Sequence, residues 1–191
     1  MHFDPFTDPW PPAYDAKDLA ENIRSLVQSS SANLAKRFYY ANTGDPTLPY
    51  QGDIISLVAE LPFIDDEGGI SAHAIDGYWM IVGNTCDIAR EITEVQWSQL
   101  VPVQNIGQAN KLESDVMGKL SNYKYLKQFY LPPWSSCSQD AVYAADFLRP
   151  VTIDKRVFDK AKLEARLTYY SWILFHACLV RFLARADGRN I

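Results

Sequence analysis

The stretch Gly77-Tyr78-Trp79-Met80-Ile81-Val82-Gly83-Asn84-Thr85-Cys86-Asp87-Ile88-Ala89-Arg90 passes from an apolar, strand-like segment through a small polar turn into a short helical pattern. A strand-to-helix turn of this kind exposes side chains at the edge of a sheet, and a cysteine in a first helical turn is favoured as thiolate by the helix dipole. Cys86 is therefore a candidate nucleophile. Asp87 beside it acts in the opposite sense, because two neighbouring negative charges disfavour each other. A nucleophile also needs a base. Of the chain's three histidines, His73 lies near in sequence, His176 sits inside an apolar run and His2 is close to the N-terminus. Cys86, His73 and Asp87 are the catalytic candidates on this reading. Two further readings stand beside it. Cys86 can be a small packed cysteine in a tight turn, or the turn can hold a partner, with Asn84, Thr85 and Arg90 as contacts.

Other chemistry is poorly provided for. His73, Cys86, Cys137, His176 and the acidic residues show none of the paired spacing that zinc sites use, so no metal and no cofactor is expected. The chain has no GxxxxGK[ST] or GxGxxG phosphate loop, no HExxH and no GxSxG. Asp65-Asp66-Glu67 reads as a solvated acidic hairpin tip. Three cysteines without CxxC spacing fit a reducing cytosol. The proline-broken, acidic N-terminus lacks the pattern of a signal peptide, so the expectation is a cytoplasmic chain beginning at Met1. The longest apolar run, residues 172–180, is too short to span a bilayer, which makes a membrane partner unexpected.

Charge is unevenly placed. The 191 residues carry a formal charge of −5. Between Asp154 and Arg189 eight cations stand against four anions, a net of +4, which leaves −9 for the rest. Nucleic-acid binding is accordingly expected to be weak or absent, with any residual binding on Lys155, Arg156, Lys160, Lys162 and Arg166. These five residues join the candidate contacts for a protein partner. Cations near a helix C-terminus, such as Arg181 and Arg185, are also what the macrodipole favours.

The elements that must position these residues follow from periodicity. Residues 1–15 hold four prolines among Phe3, Phe6, Trp10 and Tyr14, and read as an extended arm. Asp15 caps a helical pattern running through Leu19, Ile23, Leu26 and Val27, which extends past Ser29-Ser30-Ser31 to Tyr39. Strands are expected at 53–58, 78–82, 98–103, 125–131 and 141–148, with Pro102 pushing the third towards a sheet edge or strand end. Ala74-Ile75-Asp76-Gly77 gives a hairpin-type turn signal, and residues 108–120 read as a helix. Residues 154–186 lack proline and glycine until their end and read as one long C-terminal helix. Strand runs bracketed by helices indicate an α+β fold: a small, bent antiparallel sheet or SH3-like partial barrel at about 50–148, with an N-terminal helix and a long C-terminal helix, in a single domain over 16–191.

Gly52-Asp53-Ile54-Ile55 opening a strand, then a polar hairpin, then Trp79-Met80-Ile81-Val82-Gly83-Asn84 resembles the start of the SH3-like barrels of the MazF/PemK growth-inhibitor family. That resemblance covers about a fifth of the chain. It implies a bacterial toxin that cleaves single-stranded RNA and is held by an antitoxin segment. Where that family carries an Arg-Pro pair ahead of the second strand this chain has Asp76-Gly77-Tyr78, so the arginine that assists phosphodiester cleavage is missing. Thr85-Cys86-Asp87-Ile88 also resembles a Cys-Asp-Ile turn of bacterial proteins found near mobile or defence genes. The leading expectation is thus a bacterial cytosolic interaction module in a toxin-antitoxin or phage-defence setting. A divergent MazF-like ribonuclease and a Cys86/His73 enzyme are its alternatives. The apolar circumference of residues 169–183 further suggests a homodimer in which Phe3, Phe6 and Trp10 cross to the neighbouring subunit.

Overall fold

A computed structural model describes residues 21, 24–28, 31–41, 49–64 and 68–183 of the chain. The proline-rich arm, Asp65-Asp66-Glu67 and the end of the chain beyond Leu183 lie outside the described residues. The fold is α+β, built on one antiparallel sheet of seven strands: β1 (Ile54–Ile64), β2 (Ile70–Ile81), β3 (Trp97–Gln108), β4 (Gln128–Leu131), β5 (Ala141–Asp146), β6 (Val151–Asp154) and β7 (Lys162–Ala165). Its order is β4-β5-β3-β2-β1-β7, with β6 also on β3. The helices are α1 (Ser31–Phe38), α2 (Thr85–Ala89), α3 (Ser114–Ser121) and α4 (Tyr169–Leu183), and a 3-10 turn, Lys155–Lys160, joins β6 to β7.

The sheet has an apolar layer on each face. On the concave face, alternate residues Ile55 and Leu57 of β1, Trp79 and Ile81 of β2 and Leu100 of β3 meet Val151 and Ile153, Val157 and Phe158 of the 3-10 turn, and Leu163. Strands β1, β2, β3, β6 and β7 therefore curl around one small core, as in an SH3-like barrel, with the 3-10 turn carrying the chain across. The other face is larger and aromatic. Met80, Val101 and Val103 pack there with β4, β5 and the buried side of α4, centred on Phe129, whose ring meets Tyr123 at 5.1 Å and Phe175 at 5.4 Å. Ring pairs of this geometry add to area burial, roughly 0.5 to 1.5 kcal/mol each.

A buried ion pair ties the two layers together. Arg166, just after β7, donates from Nε and Nη2 to the Asp53 carboxylate at 2.8 to 3.2 Å, and its guanidinium lies 4.3 Å over the Tyr50 ring. The Arg166 carbonyl accepts from Tyr40 N–H, and Phe38 O accepts from Thr168 N–H, so the same junction fastens the end of α1.

The structure corrects several expectations. The C-terminal helix does not run over 154–186. It begins at Tyr169 and is described to Leu183, while β6, the 3-10 turn and β7 fill the preceding stretch. Pairing of Trp97, Ser98, Gln99 and Leu100 with β6, and of Ile54, Ile55 and Ser56 with β7, outweighs helix propensity there. The barrel consequently extends to Ala165 and not to 148. Ala74-Ile75-Asp76-Gly77 is no turn, for it lies within β2 opposite Leu57, Val58, Ala59 and Glu60. Pro102 sits inside central β3, where it pairs with Trp79 on one side and faces a gap on the other, because β3 exchanges β6 for β5 between Leu100 and Val103. A missing N–H costs nothing at such a break. Residues 108–113 continue from β3 into a turn, and the helix spans only Ser114–Ser121.

Candidate functional site

The strand-to-helix turn singled out in the sequence closes one end of the barrel. Gly83 is required there by close approach: a Cβ on it would fall 2.4 Å from Ser98 Oγ. Asn84 is the N-cap of α2, its side-chain oxygen accepting from Cys86 N–H at 2.9 Å. Thr85 Oγ1 accepts from Gln51 N–H at 3.0 Å and joins the turn to the chain ahead of β1. Cys86 is half-buried in the first turn of the helix, and Asp87 and Arg90 form a long, exposed ion pair at 3.9 Å.

The other end of α2 is held by a lysine. Lys155, at the start of the 3-10 turn, is 8% exposed, and its Nζ donates to the carbonyl oxygens of Arg90 at 2.7 Å, Asp87 at 2.9 Å and Ile88 at 3.3 Å. Those carbonyls terminate the short helix and would otherwise lack partners. One ammonium therefore satisfies three acceptors and fixes α2 onto the barrel, while Ile88 packs against the barrel core.

Immediately beyond α2, residues 91–97 and the 3-10 turn form a shallow cleft of about 520 Å³ lined by Ile92, Thr93, Glu94, Gln96, Trp97 and Arg156. Trp97 is 55% exposed. The cleft's polar floor is preorganised. Arg156 donates from its backbone N–H and from Nε, both at 2.9 Å, and from Nη2 to the Asp154 carboxylate, and Gln96 Nε2 adds a fourth donor at 2.8 Å. The Arg156 side chain, the Gln96 amide and the Arg156 N–H hold the Asp154 carboxyl well below the usual carboxylate range.

Of the predicted site residues, Asn84, Thr85, Cys86, Asp87, Arg90, Lys155 and Arg156 are gathered at this end. His73 is not. The β1/β2 register is continuous from Ile54↔Met80 to Ile64↔Ile70 and places His73 opposite Leu61, eight residues before Ile81. That is about 26 Å of extended strand, so Cys86 and His73 form no dyad. Among the described residues no group of three or more metal-ligating side chains converges. The expected contacts Lys155 and Arg166 are internal structural groups. Lys160 is exposed, and Lys162 pairs at 2.9 Å with the buried Glu164. Trp97, Ile92 and Gln96 were not singled out in the sequence. A tryptophan after the largely polar Thr93-Glu94-Val95-Gln96, on the opposite strand phase to the inward Ser98 and Leu100, was the available signal.

No protein-family model and no curated protein matches the chain. Among the described residues no helix is long and apolar enough to cross a membrane.

Proposed function

We propose that the protein is an interaction module whose partner is a protein segment seated at the α2 end of the barrel, in contact with Trp97, Ile92, Arg156 and the Asn84-to-Arg90 turn. The observation that carries this reading is the half-exposed Trp97 in a preformed cleft. Aromatic side chains in such a setting dominate binding energies, and arginine beside them supplies directed hydrogen bonds. Chemistry is poorly served at the same place. His73 lies eight residues down β2 from Ile81, about 26 Å of extended strand, and so does not serve Cys86 as a base. The bacterial toxin-antitoxin or phage-defence setting comes from the family resemblances and belongs to this proposal, as does cytoplasmic residence. A second copy of the chain is among the partners it allows.

The test is photo-crosslinking from position 92 or 97 in bacterial cells expressing the full chain. This reading expects a discrete protein adduct that is lost in Arg156→Glu. Adducts to RNA, together with cleavage of single-stranded RNA by the purified chain, would overturn it in favour of a divergent ribonuclease.

A further inference from the structure

Charge at the Trp97 cleft specifies the segment that fits it, and this inference rests on the cleft reading above. Trp97 stands opposite Asp154 across β3 and β6, so its ring and the Asp154–Arg156 pair share one face. Two charged residues line the cleft, Glu94 and Arg156. Arg156 is already matched, with Nε and Nη2 both on the Asp154 carboxylate. Glu94 is exposed and has no ion-pair partner among the described residues. The ring of Trp97 is open as well. Among the described residues it meets no other ring and no cation, whereas the face of Tyr50 is filled by Arg166.

Two more acids border the same cleft. Glu91 opens the turn that carries Ile92, Thr93 and Glu94, its carbonyl accepting from Glu94 N–H at 2.9 Å and Val95 N–H at 3.1 Å, and it too is exposed without an ion-pair partner among the described residues. Asp159 follows Arg156 by three residues in the 3-10 turn, where side chains three apart lie one above the other, so a third exposed acid stands on the Arg156 side. The cations there are spent. Lys155 is buried on three carbonyls and Arg90 is paired with Asp87. Lys160 is exposed, but by the same spacing it falls on the Val157 side of the turn. An exposed tryptophan is therefore set among carboxylates that lack a counter-charge.

We propose that the occupant of the cleft is a basic protein segment, with an arginine laid on the open face of Trp97 and its guanidinium answering Glu94 and Glu91. The face of an indole attracts cations more strongly than that of any other side chain. A guanidinium is planar, stacks on such a face and takes a carboxylate through two parallel hydrogen bonds, which an ammonium cannot do. Its apolar stem also gains by covering Ile92, which is 37% exposed. Partners that bring phosphates or carboxylates would enter against three unmatched acids. Arg156 keeps the floor in place by holding Asp154, so Arg156→Glu removes the adduct by setting two carboxylates against each other. The β4/β5 end has the reverse character, since exposed Leu126 and Leu148 stand in the chain beside Lys124, Lys127 and Arg149, and a basic segment should avoid it.

Acetylated, amidated hexa-arginine is the probe, titrated into the isotope-labelled full chain while amide and indole resonances are followed. Shifts should centre on residues 91–97 and 156–159, fade as salt rises to about 0.5 M, and be absent with hexa-glutamate. Affinity should fall about fivefold in Glu91→Lys/Glu94→Lys and about tenfold in Trp97→Ala, with Trp97→Phe between that variant and wild type because it keeps an aromatic face. Glu94→Gln replaces the double reversal if the latter disturbs the fold. Glu113→Lys, an exposed acid beyond the far end of β3 whose side chain caps nothing, should change nothing. Binding of hexa-glutamate or single-stranded RNA at this face, shifts centred elsewhere, an affinity indifferent to Glu91 and Glu94, or an equal loss in Glu113→Lys would overturn the proposal. A discrete protein adduct from position 92 or 97 in any of those cases would leave the cleft reading standing and remove only the basic partner. Failure of both the adduct and the peptide would remove the cleft reading itself.

Discussion

The two ends of the barrel region treat their cations differently. Near α2 and along β7, Lys155, Arg156, Lys162 and Arg166 are each held by an internal acceptor: three carbonyls, Asp154, Glu164 and Asp53. At the β4/β5 end, Lys124 and Lys127 have none among the described residues. Most described cations of the sequence's most positive segment are therefore already paired, Lys160 being the exception. A count of charges measures potential only after internal pairing has been subtracted, and that subtraction is made by topology. Exposed Trp97 beside cations already paired within the fold, and exposed Leu126 and Leu148 near unpaired ones, then define two surfaces of different character.

The comparison can be broken most severely at the buried pair. Arg166→Met should destabilise the fold by about 3 to 5 kcal/mol, because it leaves the Asp53 carboxylate buried without its counter-charge. Thermal unfolding measures the loss, and adding Asp53→Asn should recover much of it. If Arg166 were a surface contact, the change would be nearly neutral. Lys155→Met should cost about 2 to 3 kcal/mol by leaving the Asp87, Ile88 and Arg90 carbonyls without their donor. Amide exchange should then rise selectively at α2.

A smaller effect depends on pH. Burial raises the Glu164 carboxyl, but hydrogen bonds from Ser136 and Ser56 and the ammonium of Lys162 outweigh it and hold the group below its usual value. A carboxyl depressed in the folded state adds stability above its unfolded value, near 4.5, and loses it as pH falls through the folded value. The stability difference between wild type and Glu164→Gln should be constant from neutral pH to about 5 and close below about 4.5. Denaturant titrations at several pH values check this. Cys86→Ser should be the mildest change, within about 1 kcal/mol, and should leave partner binding intact, since the thiol is half-buried and His73 lies far down β2. Loss of function in a stable Cys86→Ser protein would return the thiol to consideration as a nucleophile.

Much of the barrel was legible because its strands announce themselves locally. Gly52 and Gly83 bracket β-branched and aromatic runs, and the switch from Val82 to Asn84 marks the capped turn. What escaped was set by pairing at a distance. Val151-Thr152-Ile153-Asp154 and Lys162-Leu163-Glu164-Ala165 have the alternation of strands, but each is four residues long and lacks flanking glycine. Only their partners on β3 and β1 keep them out of the helix. Pro102 misled for a related reason, since its tolerance depends on a change of neighbour that no local pattern records. At the site, Asn84 and Cys86 were readable from turn chemistry, whereas the tethering role of Lys155 joins residues 65 to 68 positions apart and has no local signature. Trp97 was overlooked because a tryptophan next to a strand is ordinarily core, and here the sheet curls it outward.

The central claim is that binding energy at the α2 end is concentrated in Trp97. The most direct test is calorimetric titration of the partner captured from position 92 or 97 into wild-type protein and Trp97→Ala. A side chain more than half exposed contributes little to folding, so thermal stability should stay within about 0.5 kcal/mol of wild type, while affinity falls tenfold or more, the loss of about 1.4 kcal/mol or greater expected of an aromatic anchor. Unchanged affinity in a stably folded Trp97→Ala protein would contradict the account.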